Sequence, residues 1–427
     1  MRKRLALCAM ILSGVAAPAG ADTVCEWMDF GAKVETAGVE AQKLVVRTGQ
    51  YDRAQTQVAL AMFEALNAID RRYESYVNMP VAEASASQEA AAASAAYHVL
   101  LSYYPSQKSA LDESYSMALE GVVDQRAREA GIAIGKAAAE GALKAGAADP
   151  SAVPVPYRPR TASGVWVATQ LPVFSPAYAA QRPWFIGRAD AFRAPPPPAL
   201  TSERYARDLE EVKTLGGKAS KDRTPHQTLM AKYRINADMM PALRLISDQD
   251  GRKLVDNARL FALYKMIDDD VMLASVDSKF FYNFWRPITA IRNAADDGNP
   301  ATAPDPGWEP LIATPNHPEY PCAHCTQSAA TSELMKTEYG NRPPAGVRIA
   351  SKSSPNLAVQ VVPSWDQWAA EVSASRTLGG VHYRFSNEAG EEMGRKIAQL
   401  ALAKVMRRCT PHKFVARAFK GVPRCES

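Results

Sequence analysis

The segment KFFYNFWRP, residues 279–287, is the stretch on which the assignment of fold and function most depends. It places Lys279 and Arg286 seven residues apart, so both side chains of a continuous helix would point the same way. Two cations on one helical face repel each other unless an anion or a partner lies between them. Because five of the six intervening residues are aromatic, the segment predicts a buried anion site and not a pair of solvated charges.

A second segment, PEYPCAHC at residues 318–325, contains a histidine that can exchange protons near neutral pH. His324 follows Pro321 and should open a helix, where unpaired backbone N–H groups attract anions. Taken alone, a capping or core histidine is the commoner situation. The prediction of a site here therefore depends on the other segments.

The third segment, SRTLGGVHY at residues 375–383, combines an arginine and a histidine. Arg376 and His382 are six residues apart and do not share a helical face. Gly379 and Gly380 allow the chain to turn between them. We therefore expect Arg376 at a helix end and His382 on the following turn, both directed at one point.

Together the three segments supply a lysine, two arginines and two histidines, a set that suits a tetrahedral oxyanion such as phosphate or vanadate. Arginine forks bind two oxygens at once, and lysine adds a point charge. One histidine could bond the central atom while the other acts as acid or base. The sequence contains neither an H-E-x-x-H zinc motif nor a Walker-type loop.

Hydrophobic periodicity predicts an all-α protein of packed helical bundles. We expect a break near Gly131, a second break near residues 275–278, and an N-cap at Ser386. Residues 22–49 show only weak patterning, and no stretch shows convincing strand alternation. The predicted helices cover residues 52–76, 87–104, 108–144, 203–215, 228–246, 252–292, 324–339, 365–378 and 386–408.

Residues from about 148 to 200 are rich in proline and end in four consecutive prolines at 195–198. Such a stretch cannot form a regular helix or a central strand. Its aromatic residues favour an irregular excursion that packs on the body over a free linker, which would be more polar. We expect residues 22–427 to form one domain that includes this excursion.

Residues 1–21 have the features of a secretory signal peptide. A basic start (Arg2, Lys3, Arg4) precedes 13 apolar residues and an Ala-Gly-Ala cleavage pattern. We therefore expect an exported protein, periplasmic or secreted, with no membrane span in the mature chain. Its removal leaves 47 basic against 45 acidic residues, so nothing indicates nucleic-acid binding.

Five cysteines remain in the mature chain, an odd number in a compartment where disulfides form. We favour a pair between Cys409 and Cys425, which bracket a short tail. Cys322 and Cys325 could pair with each other, or one of them could reach Cys25. A thiol redox role for C-A-H-C is not favoured, since no thioredoxin-like βαβ pattern accompanies it.

The order of the motifs resembles the type 2 phosphatidic acid phosphatase and vanadium-dependent haloperoxidase superfamily. Its pattern is K-x6-R-P, then P-S-G-H, then S-R-x5-H, and the chain has K-x6-R-P, P-C-A-H and S-R-x5-H. The surrounding FWRPITAIR, DDGNP, DPGW and TPNHPEYP are most similar to the bacterial haloperoxidase-like branch. The resemblance implies a helical fold of paired four-helix bundles.

By this resemblance, Lys279, Arg286 and Arg376 would bind the oxyanion, together with the positions of Cys322 and Ala323. The family has serine and glycine at these last two positions. A thiol is a weaker hydrogen-bond donor than the serine hydroxyl, and alanine adds a methyl group beside the anion.

The resemblance also implies roles for the histidines. His382 would be the axial ligand of vanadium or the phosphate nucleophile, and His324 the acid–base residue. His317 lies where bromide-using members also have histidine, and Trp285 is a further candidate for the halide site. The acidic residue that orients the last histidine in many members is Ser386 here.

Three functions follow as hypotheses. The first is a vanadium-dependent haloperoxidase that uses peroxide, a halide and bound vanadate. The second is an acid phosphatase acting on phosphate monoesters through a phospho-histidine, without a cofactor. The third is a secreted helical protein that binds anions without catalysis, since fold does not fix function.

Overall fold

The computed structural model describes residues 22–42, 53–80, 82–147, 157–174, 176–235, 237–344, 347–351 and 360–409. Within these ranges the chain is predominantly helical, which confirms the all-α class. The α-helices are α1 (Thr23–Ala41), α2 (Ala54–Ile69), α3 (Gln88–Tyr103), α4 (Lys108–Glu120), α5 (Gln125–Ala145), α6 (Glu203–Gly216), α7 (Pro225–Tyr233), α8 (Met240–Ser247), α9 (Leu254–Tyr282), α10 (Pro287–Arg292), α11 (Ala323–Tyr339), α12 (Trp365–Leu378) and α13 (Arg384–Lys404).

A small antiparallel sheet, which the sequence did not predict, joins three short strands. They are β1 (Ala237–Asp238), β2 (Arg348–Ser351) and β3 (Gln360–Val361), paired in the order β1-β2-β3. Each strand has only two to four residues. That length is too short for alternation to stand out from a sequence.

Helix α9 is the central element. It packs against α2, α11 and α13. Its residues are buried around the whole circumference, as expected of a helix surrounded by others. The break predicted near residues 275–278 was wrong, because Ser275 and Ser278 are buried inside the continuous helix. The chain breaks later, after Tyr282.

The N-terminal group contains α1 to α5, and α3 packs closely against α5. The predicted break near Gly131 was wrong, since this glycine lies inside α5 and the break falls between Glu120 and Gln125. A Cβ at position 131 would lie 2.5 Å from the carbonyl oxygen of Ser87. Gly131 therefore permits close approach of the two helices. The weakly patterned N-terminal stretch includes α1, which Asp22 caps.

The C-terminal group contains α11, α12 and α13, and α11 packs along α13. The predicted bounds of α12 were correct. Ser386 is not the N-cap of α13, because that helix begins at Arg384 with Tyr383 as its N-cap. Ser386 instead lies buried in the first turn, beside His382.

The described part of the proline-rich excursion, residues 157–174 and 176–200, contains only short 3₁₀ turns and packs on the body. Trp166 is fully buried and Trp184 nearly so. Backbone N–H groups of residues 184, 185 and 186 donate to the carboxylate of Asp270 on α9, at 2.7, 2.8 and 3.1 Å. The indole Nε1 of Trp184 donates to Asp269 at 2.7 Å.

The structure gives the state of Cys25 and of Cys409. Cys25 is buried and free. Cys409 is disulfide-bonded, and Cys425, its predicted partner, lies outside the described residues. The predicted signal peptide, residues 1–21, also lies outside them. No helix in the described ranges is long and apolar enough to cross a membrane.

Candidate oxyanion site

The first site segment does not form one continuous helix. Helix α9 ends at Tyr282, and Asn283 adopts a left-handed conformation with φ of 48°. Arg286 then serves as the N-cap of α10, with Pro287 in the first turn. The expectation that Lys279 and Arg286 share a helical face was therefore wrong. Their side chains nevertheless converge, because both reach the backbone of residues 317–321.

Lys279 is buried and donates to three backbone carbonyls. Its Nζ lies 3.2 Å from the oxygen of Pro318, 2.8 Å from that of Glu319 and 2.5 Å from that of Pro321. Burial and the neighbouring Arg286 lower the pKa of this lysine well below its usual value. Three acceptors require all three protons of an ammonium, so the geometry favours the charged form. Lys279 thus holds the second segment in place.

Arg286 is buried and binds both remaining segments. Its Nε donates to the carbonyl of His317 at 3.0 Å, and Nη1 donates to the carbonyl of Val381 at 2.8 Å. Nη1 also lies 3.2 Å from Nε2 of His382, and Nη2 lies 3.1 Å from Nδ1 of His317. Since arginine can only donate, Nε2 of His382 is the acceptor in its contact with Nη1.

Arg376 lies in the last turn of α12 and is 1% exposed. Its Nε and Nη1 are buried and have no hydrogen-bond partner among the described residues. A buried donor without a partner costs about 1–3 kcal/mol, and more when it is charged. Burial and Arg286 together lower the pKa of Arg376 to about 9. These two donors are available to a bound anion.

His382 lies on the turn after Gly380, whose φ is 80°, and its side chain is buried. Its Nδ1 is 2.7 Å from Oε1 of Glu319. A carboxylate accepts a hydrogen bond from this nitrogen, so Nδ1 carries the hydrogen and the lone pair is on Nε2. Burial and the adjacent Arg286 lower the pKa of His382 well below its usual range. The ring is therefore neutral, with Nε2 able to bond an electrophilic centre.

Glu319 is the functional residue that sequence reasoning missed. It is fully buried, and its Oε1 also accepts from the backbone N–H of Tyr383 at 3.2 Å. Burial raises the pKa of Glu319 to about 7, while Arg286 and Lys279 act in the opposite direction. The Ser386 hydroxyl lies 3.5 Å from Nδ1 of His382, farther away than the carboxylate. The only sequence signal was a charged residue in an otherwise apolar PEYP run.

Cys322 and Cys325 form a disulfide at the start of α11. The sulfur of Cys322 is thus bonded, and no S–H group remains to donate to an anion. Cys322 is the N-cap, and its sulfur accepts from the backbone N–H of Cys325 at 3.1 Å. Ala323 begins the helix and is 6% exposed.

His324 is half-buried in the first turn of α11. Burial and Arg376 lower the pKa of His324 well below its usual value, although a hydrogen bond with the backbone of Ile235 acts in the opposite direction. The histidine is therefore neutral at pH 7 and can accept a proton. A bound anion would offset the influence of Arg376 and raise the pKa of His324.

His317 and Trp285 border the site. The ring of Phe174, from the proline-rich excursion, packs edge-on against the ring of His317 with centroids 5.9 Å apart. Burial and Lys279 lower the pKa of His317 well below its usual value. Trp285 is 2% exposed, and its backbone carbonyl accepts from the hydroxyl of Tyr383 at 3.3 Å.

The charge balance of the site favours an oxyanion. Three buried cations face one buried carboxylate, Glu319, within the described part of the chain. No group of three His, Cys, Asp or Glu residues suitable for a metal cation occurs in the described ranges. The residues therefore fit vanadate or phosphate, with arginine donors for its oxygens and Nε2 of His382 for its central atom.

Comparisons with known proteins found a similar family, a similar sequence and similar folds. Residues 259–411, which contain all three segments, match the family described as the VCPO second helical-bundle domain. The vanadium chloroperoxidase of Curvularia inaequalis is 34% identical over 97 residues, which are 20% of this chain. The match spans only 15% of the length of that relative.

Solved structures share the fold over most of the chain. The structure of a bacterial vanadium-dependent iodoperoxidase superposes with a TM-score of 0.71 and 19% identity, covering 92% of this chain and 98% of the other. A holo-type bacterial vanadium-dependent chloroperoxidase gives a TM-score of 0.63 and 17% identity, with 82% and 90% coverage.

Proposed function

We propose that this chain, which belongs to the vanadium-dependent haloperoxidase and type 2 phosphatidic acid phosphatase superfamily, is an exported haloperoxidase that binds vanadate. The observation that carries the proposal is the neutral His382, held by Glu319 through Nδ1 and surrounded by three buried cations. Bound vanadate would act as a Lewis acid that activates peroxide for attack by a halide.

Each of the five site residues has a distinct role in this proposal. Nε2 of His382 would bond the central atom, and Arg376 would donate its two unpaired N–H groups to the oxygens. Arg286, now in contact with His382, would add positive charge beside the anion. Lys279 contributes charge and holds residues 318–321. His324 accepts a proton from the incoming peroxide and later returns it.

Acid phosphatase activity is the second candidate, and the same histidine pair favours it. Nε2 of His382 would attack the phosphorus of a phosphate monoester, and His324, protonated once the anion is bound, would give its proton to the leaving oxygen. Water would then hydrolyse the phospho-histidine. A histidine oriented by a buried carboxylate suits this nucleophilic role as well.

The test is to incubate the purified protein with vanadate, measure bound vanadium, and assay in parallel. We expect one vanadium per chain and peroxide-dependent halogenation of a phenol dye with iodide, bromide or chloride. The variant His382→Ala should lose both, whereas His226→Ala, an exposed histidine on α7, should keep both.

Bound vanadium without halogenation would reject the haloperoxidase. Hydrolysis of an aryl phosphate that is lost in His382→Ala and inhibited by vanadate would then identify the phosphatase. Anion binding with neither activity would identify the non-catalytic alternative.

Export is part of the same proposal. A basic start, an apolar run and an Ala-Gly-Ala pattern in residues 1–21 support cleavage before Asp22. Amino-terminal sequencing of the protein from the periplasmic fraction should begin at Asp22. A cytoplasmic protein that retains Met1 would contradict it.

A further inference from the structure

Helix α11 presents a row of polar residues to the interior of the protein. His324, Gln327, Ser328 and Thr331 occupy positions i, i+3, i+4 and i+7, which form one face of a helix. This face borders a cavity of about 280 Å³. A helix that packs only on a hydrophobic core would place apolar residues there. The cavity therefore differs from an ordinary packing defect.

Two neighbouring helices complete the cavity with aromatic and acidic groups. Tyr264 and Asp268 lie one turn apart on α9, and Trp368 lies on α12. Trp368 is 3% exposed, so its ring is held by packing and forms one wall of the cavity. Met239 and Val372 add apolar surface. Aromatic walls with a few polar groups are typical of sites for small organic molecules.

Asp268 is the acidic group of this cavity. Its Oδ1 accepts from Nε2 of Gln327 at 2.9 Å, and no hydrogen bond to Oδ2 is formed within the described part of the chain. None of the ion pairs among the described residues includes it. Burial raises the pKa of the Asp268 carboxyl, and the charge of the neighbouring Lys265 acts to lower it. The carboxylate would therefore be stabilised by a donor that enters the cavity.

Arg234, a cation of the wall, is paired through two of its three nitrogens, while its buried Nη1 has no hydrogen-bond partner among the described residues. Nε and Nη2 of Arg234 donate to one oxygen of Glu371 at 3.1 and 2.5 Å. The cavity thus offers the Asp268 carboxylate between aromatic rings, and one unpaired N–H group of the Arg234 guanidinium, whose charge Glu371 already balances. Ammonium groups bind favourably to carboxylates and to the faces of tryptophan and tyrosine.

We infer that this cavity binds the organic substrate, and that Asp268 selects small aromatic molecules carrying an amine. The ammonium group would pair with Asp268, which contacts Gln327 on α11. The ring would extend along α11 toward His324, which lies one helical turn before Gln327. Small-molecule sites measure ~300–1,000 Å³. At about 280 Å³ this cavity lies just below that range, which suits a single ring with a short chain. The role of the cavity as a substrate site rests on the proposed function of His324.

Binding of two matched molecules tests the inference without any turnover. Tyramine and 4-ethylphenol share a phenol ring, but only tyramine carries an amine. Calorimetric titration of the vanadate-free protein should show tyramine binding about tenfold or more tightly, the value expected for one charge-assisted hydrogen bond. Asp268→Asn should bring tyramine down to the affinity of 4-ethylphenol and leave 4-ethylphenol unchanged.

The matched control is Asp277→Asn, which lies on the same helix but outside the cavity and pairs with Arg193. It should keep the tyramine preference. Equal affinity of the two molecules, absence of binding, or an unchanged preference in a folded Asp268→Asn protein would overturn the inference. Because this readout needs neither vanadate nor peroxide, a failed halogenation assay together with selective tyramine binding would reject only the proposed reaction.

Discussion

Glu319 controls which nitrogen of His382 is available. Its carboxylate accepts from Nδ1 at 2.7 Å, which leaves the lone pair of Nε2 directed at Arg286 and the anion site. The pairing also fixes the ring, as the partners of metal-bound histidines usually do. Loss of Glu319 would have two effects. It would free the His382 ring, and it would make the site more positive because a negative charge is removed. The binding of one anion alone cannot separate these effects.

We expect Glu319→Ala to lower the ratio of vanadate affinity to phosphate affinity by ~10–100-fold, the usual cost of removing such a partner. Vanadate depends on a bond to an oriented histidine, whereas phosphate binding responds mainly to charge and should not weaken. Ser386→Ala should leave the ratio within about twofold, since its hydroxyl is 3.5 Å from Nδ1. Competition titrations measure both affinities, and an unchanged ratio in Glu319→Ala would contradict the assigned role.

Arg376 is a buried charge whose best partner is a bound anion. We expect Arg376→Met to raise the melting temperature of the anion-free protein, because it replaces unpaired buried donors with an apolar chain of similar length. The same variant should lose the rise in melting temperature that saturating phosphate gives the parent protein.

Thermal melts with and without phosphate measure both effects of Arg376→Met. Arg384→Met provides the control, since Arg384 is half exposed and pairs with Glu211 away from the site. A full phosphate-induced shift in Arg376→Met would show that Arg376 does not bind the anion.

At the scale of elements, the proline-rich excursion is fixed by the buried carboxylates of α9. Asp270 accepts three backbone N–H groups of the excursion. Asp269 binds the Trp184 indole, and the guanidinium of Arg53 stacks 4.2 Å from the centre of that ring. The excursion in turn brings Phe174 against His317. Anchoring at α9 therefore affects the border of the oxyanion site.

Asp270→Ala should destabilise the protein by ~3 kcal/mol or more, because three buried N–H groups lose their acceptor. It should also open the excursion to protease cleavage near residues 183–188. Asp190→Ala removes an exposed pair with Arg188 in the same excursion, and its cost should stay below ~1 kcal/mol. Urea unfolding and limited proteolysis measure these effects, and similar costs for the two variants would refute the anchoring.

At the scale of the whole molecule, several buried carboxyl groups link stability to pH. Burial raises the pKa of Glu64 and of Asp269 to about 7, and that of Asp270 to about 6. A carboxyl whose pKa is higher in the folded state binds its proton more tightly there. Its stabilising contribution is complete below the unfolded pKa and is lost as the pH rises through the folded pKa.

We expect the free energy of unfolding to fall between about pH 4.5 and pH 7, and Glu64→Gln to reduce that fall. The glutamine oxygen can still accept from the backbone N–H groups of Tyr76 and Val77, at 2.6 and 3.3 Å. At pH 8 the variant should be more stable by on the order of 3 kcal/mol. Glu129→Gln, an exposed control on α5, should follow the parent curve.

Urea titrations at several pH values test the linkage. Parallel curves for Glu64→Gln and the parent protein would show that Glu64 does not contribute to it.

The sequence by itself determined the helical class, the bounds of α12, and the three segments with their cations and histidines. These features are local, because helix periodicity, caps and motif spacing are encoded within about twenty residues. The turn at Gly379 and Gly380 was equally readable, since positive φ at Gly380 suits only glycine without strain.

Only the tertiary structure decided which residues meet across the fold. Glu319 and His382 are 63 positions apart, and Asp270 and Trp184 are 86 apart. The cavity beside His324 also depends on how α9, α11 and α12 pack. The number of residues between two positions does not give their distance when they lie on separate helices. These contacts therefore form only when the bundles assemble.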